Sequence, residues 1–205
     1  MEALPNALSA REDLKTWANL VTAVRTIVGM VVFAVAAYHR DAGLNYVGLA
    51  LFWALDILDG ALARGLKQET RVGAQFDIIT DRILIAFFYF NFVALRPEFV
   101  VPVATFLFQF NVIDLYLSNQ FMRWPILSPN YFHQVDRTIW RLNWSVPAKA
   151  LNGQFVPLIM IITGSVWIPC VISLGIIGLK FYSFVLIRRL PDPKPGWSAS
   201  RMSMP

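Results

Sequence analysis

The sequence predicts an all-α integral membrane protein of six transmembrane helices, and three observations carry that prediction. Of 205 residues, 57% are hydrophobic and 15% are charged, with a mean hydropathy of +0.53. A soluble domain of this length needs more polar surface. Second, the apolar residues gather in runs of about 20, the length that crosses a bilayer as a helix. Third, the basic residues are unevenly shared between the connections. With both termini cytoplasmic, the outer connections at 39–43, 96–98 and 164–169 hold only Arg40 and Arg96 of the 18 Lys and Arg residues. Short cytoplasmic loops retain positive charge in this way.

Taken in order, residues 1–18 form an N-terminal segment in which 11–18, REDLKTWA, mixes charge with Leu14 and Trp17. That mixture predicts a short interfacial helix leading into the bilayer. The first ten residues lack the basic start and apolar run of a cleavable signal peptide, and none is expected. The membrane domain then occupies 19–187. Its spans are expected at about 19–38, 44–64, 73–95 and 100–121, with Pro97 breaking the pattern between the third and fourth. Residues 122–147 carry Pro125, Pro129 and Pro147 among Trp and Tyr, which reads as loop or surface-lying structure with an interfacial aromatic belt. Two more spans fill 148–187, split near 164–169. Residues 188–205 read as a cytoplasmic, disordered tail. The single cysteine, Cys170, excludes an intramolecular disulfide and a cysteine-based metal cluster. The net charge of +5 is ascribed to topology and anionic lipid, so the bilayer is an expected partner and nucleic acid is not.

Chemistry is concentrated between Asp56 and Asp81, in DILDGALARGLKQETRVGAQFDIITD. Residues three or four apart share a helix face. Asp56 and Asp59 therefore share one face of the second helix, and Asp77 and Asp81 one face of the third. Carboxylates in or beside membrane helices are costly without a cationic partner. One such aspartate is equally explained by a helix–helix hydrogen bond or an ion pair with a nearby arginine. Four in two facing pairs point instead to divalent metal, and hard oxygen donors suit magnesium, manganese or calcium over zinc or copper. Four carboxylates can hold two such ions, the arrangement used in phosphoryl displacement. Arg64, Lys67 and Arg71 in the linker put this site at the cytoplasmic ends of its helices, opening inward.

The spacing Asp56-x2-Asp59-Gly60-x2-Ala63-Arg64-x8-Gly73-x3-Asp77-x3-Asp81 resembles the signature of the CDP-alcohol phosphotransferase (CDP-alcohol phosphatidyltransferase) family. Asn19-Leu20-Val21-Thr22-Ala23-Val24-Arg25 is similar to the N-x-x-T-x-x-R-like opening of that family's first span. The resemblance covers about residues 15–95. It implies a six-span enzyme of phospholipid biosynthesis that moves a phosphatidyl-type group from CDP-diacylglycerol to a hydroxyl, releasing CMP. It implies two Mg²⁺ or Mn²⁺ ions held by Asp56, Asp59, Asp77 and Asp81, with Asp81 also the general base. Asn19, Thr22, Gly60, Ala63, Arg64 and Gly73 would hold the CDP donor, Arg64 meeting phosphate and Gly73 keeping the second and third helices close. Arg25 would line the nucleotide side of the same cavity. A homodimer and the inner, cytoplasmic membrane follow from the same resemblance.

The acceptor is less legible. Members using phosphorylated acceptors carry a G-K-x-x-T-like segment, for which this chain offers Ala148-Lys149-Ala150-Leu151-Asn152. Lys149, Arg137, Arg141 and Lys180 are the acceptor candidates, and Asp114 is expected to pair with Lys180 or Arg82 or to meet the acceptor. Glycerol 3-phosphate and an inositol phosphate lead as acceptors. Inositol, serine, choline and phosphatidylglycerol are the alternatives. The non-enzymatic alternative is a divalent-cation or proton-coupled transporter using the same carboxylates.

Overall fold

The computed structural model describes residues 16–66 and 68–192. Among them there is no strand, and six helical stretches are long and apolar enough to cross a membrane: Trp17–His39, Ala42–Gly65, Arg71–Leu95, Pro97–Arg123, Arg137–Thr163 and Trp167–Arg189. Of the interfacial helix expected over 11–18, only Thr16, Trp17 and Ala18 are described, and they open the first span. The expected tail is described only to Asp192, and the last helix carries on to Arg189 within it. The described residues divide into two compact units, 16–103 and 104–192.

The first unit is a three-helix arrangement of α1 (Trp17–His39), α2 (Ala42–Gly65) and α3 (Arg71–Leu95), each packed on the other two. Local chemistry sets the helix starts. Thr16, Asp41 and Thr70 each accept a hydrogen bond from the backbone three residues on, at 3.0–3.1 Å. Arg40, in the left-handed region at φ 52°, closes α1 and lets Asp41 begin α2 at once. The core between the helices is aromatic: Phe33 of α1 meets Phe88 of α3 edge-on, and Phe88 stacks on Phe92. At this end Asn91 Nδ2 donates to the Phe33 carbonyl at 2.9 Å and to Asn45 Oδ1 at 3.1 Å. Asn45 Nδ2 donates in turn to the Phe88 carbonyl at 3.1 Å, so one buried polar knot ties all three helices.

Gly48 lets α2 lie against Phe33. A Cβ built there would stand 2.6 Å from Phe33 Cε1, and the ring is fully buried with nowhere to turn. Gly48→Ala is therefore expected to cost about 1–3 kcal/mol through overpacking. Thermal unfolding in detergent checks this, and a variant as stable as the parent would contradict the packing described.

Helix α4 (Val100–Phe108) begins in the first unit and ends in the second, which further holds a π-helical turn at Gln109–Asp114, α5 (Leu115–Asn119), α6 (Arg137–Asn143), α7 (Val146–Lys149), a second π-helical turn at Ala150–Phe155, α8 (Val156–Thr163) and α9 (Trp167–Arg189). The fifth span departs from the sequence reading, which began it at 148. Helix resumes at Arg137, capped by Asp136, and is interrupted only at Trp144–Ser145. Pro147 does not terminate it, because it occupies the first turn of α7 where no backbone N–H is needed. The π-helical turn before α8 has a local cause: Pro157, in the first turn of α8, has no N–H to give the carbonyl four residues back. The expected interfacial belt is also altered. Trp124, Phe132 and Trp144 form a buried cluster with ring centroids 5.2 and 4.7 Å apart, while Tyr131 and Trp140 are half-buried.

Candidate active site

The helical spacing that pairs the aspartates in sequence pairs them in space. Asp56 and Asp59 project from the last turns of α2, and Asp77 and Asp81 from the first turns of α3. Both pairs converge on one side chain of α1, Arg25, which is only 2% exposed. Its Nη1 lies 2.6 Å from Asp56 Oδ1, and its Nη2 lies 2.5 Å from Asp77 Oδ1 and 2.9 Å from Asp81 Oδ1. Its Nε lies 3.8 Å from Asp59 Oδ2, beyond hydrogen-bond reach. Asp59 instead accepts the Thr22 hydroxyl at 2.6 Å. The fourfold cluster thus has a built side and an open side. Asp59 is nearly enclosed, at 6% side-chain exposure, whereas Asp56 and Asp77 are 36% and 41% exposed.

The cation that sequence reasoning demanded for these carboxylates is present as a side chain. The sequence reading has Arg25 lining the nucleotide side of the cavity, and the structure makes it the hub of the carboxylate cluster. A signal for it existed: Asn19, Thr22 and Arg25 recur every three residues, so they share a face of α1, and Arg25 is a lone cation in an apolar helix. One guanidinium does not match four carboxylates, so the site still calls for positive charge. Asp56, Asp77 and Asp81 each offer an oxygen within 4.8 Å of the others. That all-carboxylate donor set fits a hard divalent cation.

Around the carboxylates, Gly73 opens α3 against α1. A Cβ on Gly73 would stand 2.5 Å from Asn19 Oδ1, so this glycine allows contact between the first and third helices. The sequence reading has Gly73 keeping the second and third helices close; the nearest side chain from another helix is Asn19 of the first. At Gly60 the nearest atom to a built Cβ is Arg64 Nη1, 3.2 Å away, so Arg64 folds back over Gly60 on the surface of α2. Ala63 is half-buried beside it. Trp17 N donates to Gln68 Oε1 at 3.0 Å, which fastens the α2–α3 linker to the start of α1.

The acceptor candidates all belong to the second unit. Arg137 and Arg141 are exposed one turn apart on α6. Lys149 is exposed, and its Nζ bonds Asn130 Oδ1. Lys180 is different: it is fully buried, and its Nζ lies 2.5 Å from Asp114 Oδ1 and 3.0 Å from Asn143 Oδ1. Of the two readings of Asp114 and Lys180, the structure presents the pair.

A six-span helical membrane protein whose first three helices gather four aspartates around an arginine is the class this fold and site define. The family model for CDP-alcohol phosphatidyltransferase matches residues 15–120, and the chain belongs to that family. Two curated relatives are similar over part of their length, both CDP-diacylglycerol–inositol 3-phosphatidyltransferases. That of Candida albicans is 33% identical over 104 residues, 51% of this chain and 42% of the relative. That of Drosophila melanogaster is 31% identical over 134 residues, 60% of this chain and 53% of the relative. The matches thus span about half the length of these relatives. No solved structure matches the chain.

Proposed function

We propose that the protein transfers the phosphatidyl group of CDP-diacylglycerol to the hydroxyl of a small polar alcohol, releasing CMP, and that inositol is the acceptor. The observation that carries this is the convergence of Asp56, Asp77 and Asp81 within 4.8 Å of one another at the helix ends of a member of this family. The names of the two relatives support inositol over the phosphorylated acceptors, whose G-K-x-x-T-like segment is only partly matched around Lys149.

Asp56, Asp59, Asp77 and Asp81 are the residues that would hold two Mg²⁺ or Mn²⁺ ions. Such ions supply charge neutralisation for the pyrophosphate and the departing CMP. The remaining steps belong to the chain. Arg64, exposed and folded over Gly60, binds a donor phosphate, and Ala63 leaves room for the nucleotide. Asn19 and Thr22 flank the donor from α1, Thr22 also fixing the orientation of Asp59 through its hydroxyl. Asp81, 22% exposed in its side chain, takes the proton from the attacking hydroxyl as that oxygen bonds to phosphorus. Arg137, Arg141 and Lys149 are the exposed cations available to an acceptor. The charge asymmetry of the loops supports cytoplasmic termini and an inward-facing site at the inner membrane. A transporter reading has less support, because Arg25 fills the middle of the carboxylate cluster.

The test is CMP release by the purified protein from CDP-diacylglycerol and magnesium, offered one acceptor at a time. Release with inositol that stops on adding chelator is expected. Release only with glycerol 3-phosphate or inositol phosphate would retain the reaction and replace the acceptor. No release with any acceptor, and no thermal stabilisation by CDP-diacylglycerol, would remove the enzyme reading.

A further inference from the structure

We infer that Arg25 is the resident counter-cation of the ion-free site, and that a divalent cation binds by taking carboxylate oxygens from it. The inference rests on the metal reading of the proposed function and deepens it. The carboxylates of Asp56, Asp77 and Asp81 that come within 4.8 Å of one another are the same three that the guanidinium bonds. A hard cation and an N–H donor compete for the same carboxylate lone pairs, and the charge of each weakens the hold of the other.

The geometry also shows how the exchange is made reversible. Arg25 is almost wholly buried, and its Nε has no hydrogen-bond partner, so all of the guanidinium's hydrogen bonds to the acids are made by its two Nη atoms. All three bonds end on acids of α2 and α3, whereas Arg25 belongs to α1. Asp59, the fourth acid, accepts its hydrogen bond from Thr22 and meets Arg25 only across 3.8 Å. Releasing Arg25 therefore frees three ligands together and leaves the fourth in place. Without such a cation four carboxylates would stand against one another, and the ends of α2 and α3 that carry them would repel. Arg25 is thus a positioning residue that keeps the ligands gathered, at the expense of affinity for the ion.

Manganese alone is the probe, since its aqueous paramagnetic signal disappears on binding and no turnover is needed. Purified full-length protein is titrated as parent, Arg25→Met and Arg25→Lys. The exchange predicts that Arg25→Met binds Mn²⁺ about ten- to a hundredfold more tightly than the parent, the worth of the bonds no longer broken. It also predicts that the variant is less heat-stable without ion and regains more stability than the parent when Mn²⁺ is added. Arg25→Lys retains the charge and guards against a variant that does not fold. A single ammonium cannot fork across three carboxylates, so it is expected to bind Mn²⁺ several-fold more tightly than the parent. Equal or weaker binding in the folded variants, with the parent binding normally, would overturn the exchange and leave the metal site standing. Absence of Mn²⁺ binding in the parent would remove both.

Discussion

Asp81→Asn is expected to lower CMP release by about 10²–10⁴-fold, the range for losing a positioned general base. The substitution is nearly isosteric, and the amide oxygen can still accept from Arg25 Nη2, which lies 2.9 Å from the Asp81 carboxylate. Folding should therefore survive, which is what makes the comparison informative. What is lost is the site's ability to receive a proton from the attacking hydroxyl, together with one negative charge toward a cation. The two losses separate by measurement. At saturating magnesium a deficit in ion binding is overcome and activity returns, whereas loss of the base persists. An Asp81→Asn protein that regains parental turnover when magnesium is raised would move the base to another residue.

The second large effect concerns stability. Lys180→Met should destabilise the protein by about 3–5 kcal/mol, the cost of leaving one member of a buried ion pair without its partner. Lys180 is fully buried, and Asp114 is 10% exposed in its side chain, so neither charge has water to fall back on. Asn143 Oδ1 accepts from Lys180 Nζ and Asn143 Nδ2 donates to Ser183 Oγ at 2.9 Å, so removing the lysine disturbs a network and not one contact. Replacing both charges, as in Lys180→Met with Asp114→Leu, should recover most of the loss, because two apolar side chains demand no partner. Thermal unfolding in detergent reads both variants. A single variant as stable as the parent would mean that Asp114 finds another cation, and the pair would then not be what holds α9 to the π-helical turn.

These two residues also show what a sequence discloses and what it withholds. Spacing gave the two aspartate pairs, since a three- or four-residue interval dictates a common helix face whatever surrounds it. It also gave the location of the spans, because hydrophobic length is a one-dimensional property. The partner of each charge was different. Lys180 could be matched with Asp114 as one option among others, but choosing it requires knowing which helices are neighbours. Arg25 lay outside the predicted ligand shell for the same reason, since α1 had no assigned rotation relative to α2 and α3. Gly73 was recognised as a site of close approach, but that Asn19 of α1 is the side chain it meets was not. The fifth span was shortened for a separate cause: Pro147 breaks a helix interior but starts a helix turn without penalty, and the residue alone does not say which applies.

The knot formed by Asn45, Asn91 and the Phe33 carbonyl has a mechanical consequence for the opposite end of α3. It fixes one end of a stiff rod and leaves the other to be held by side chains that can be exchanged. Ten residues separate Asn91 from Asp81 along α3, a lever of about 15 Å at the helical rise. With the pivot fixed, a tilt of only about 4° carries Asp81 about 1 Å, a displacement that changes rates by about 10²-fold where reacting groups must be aligned. Loosening the asparagine fulcrum should therefore be felt as lost turnover at carboxylates that it never touches.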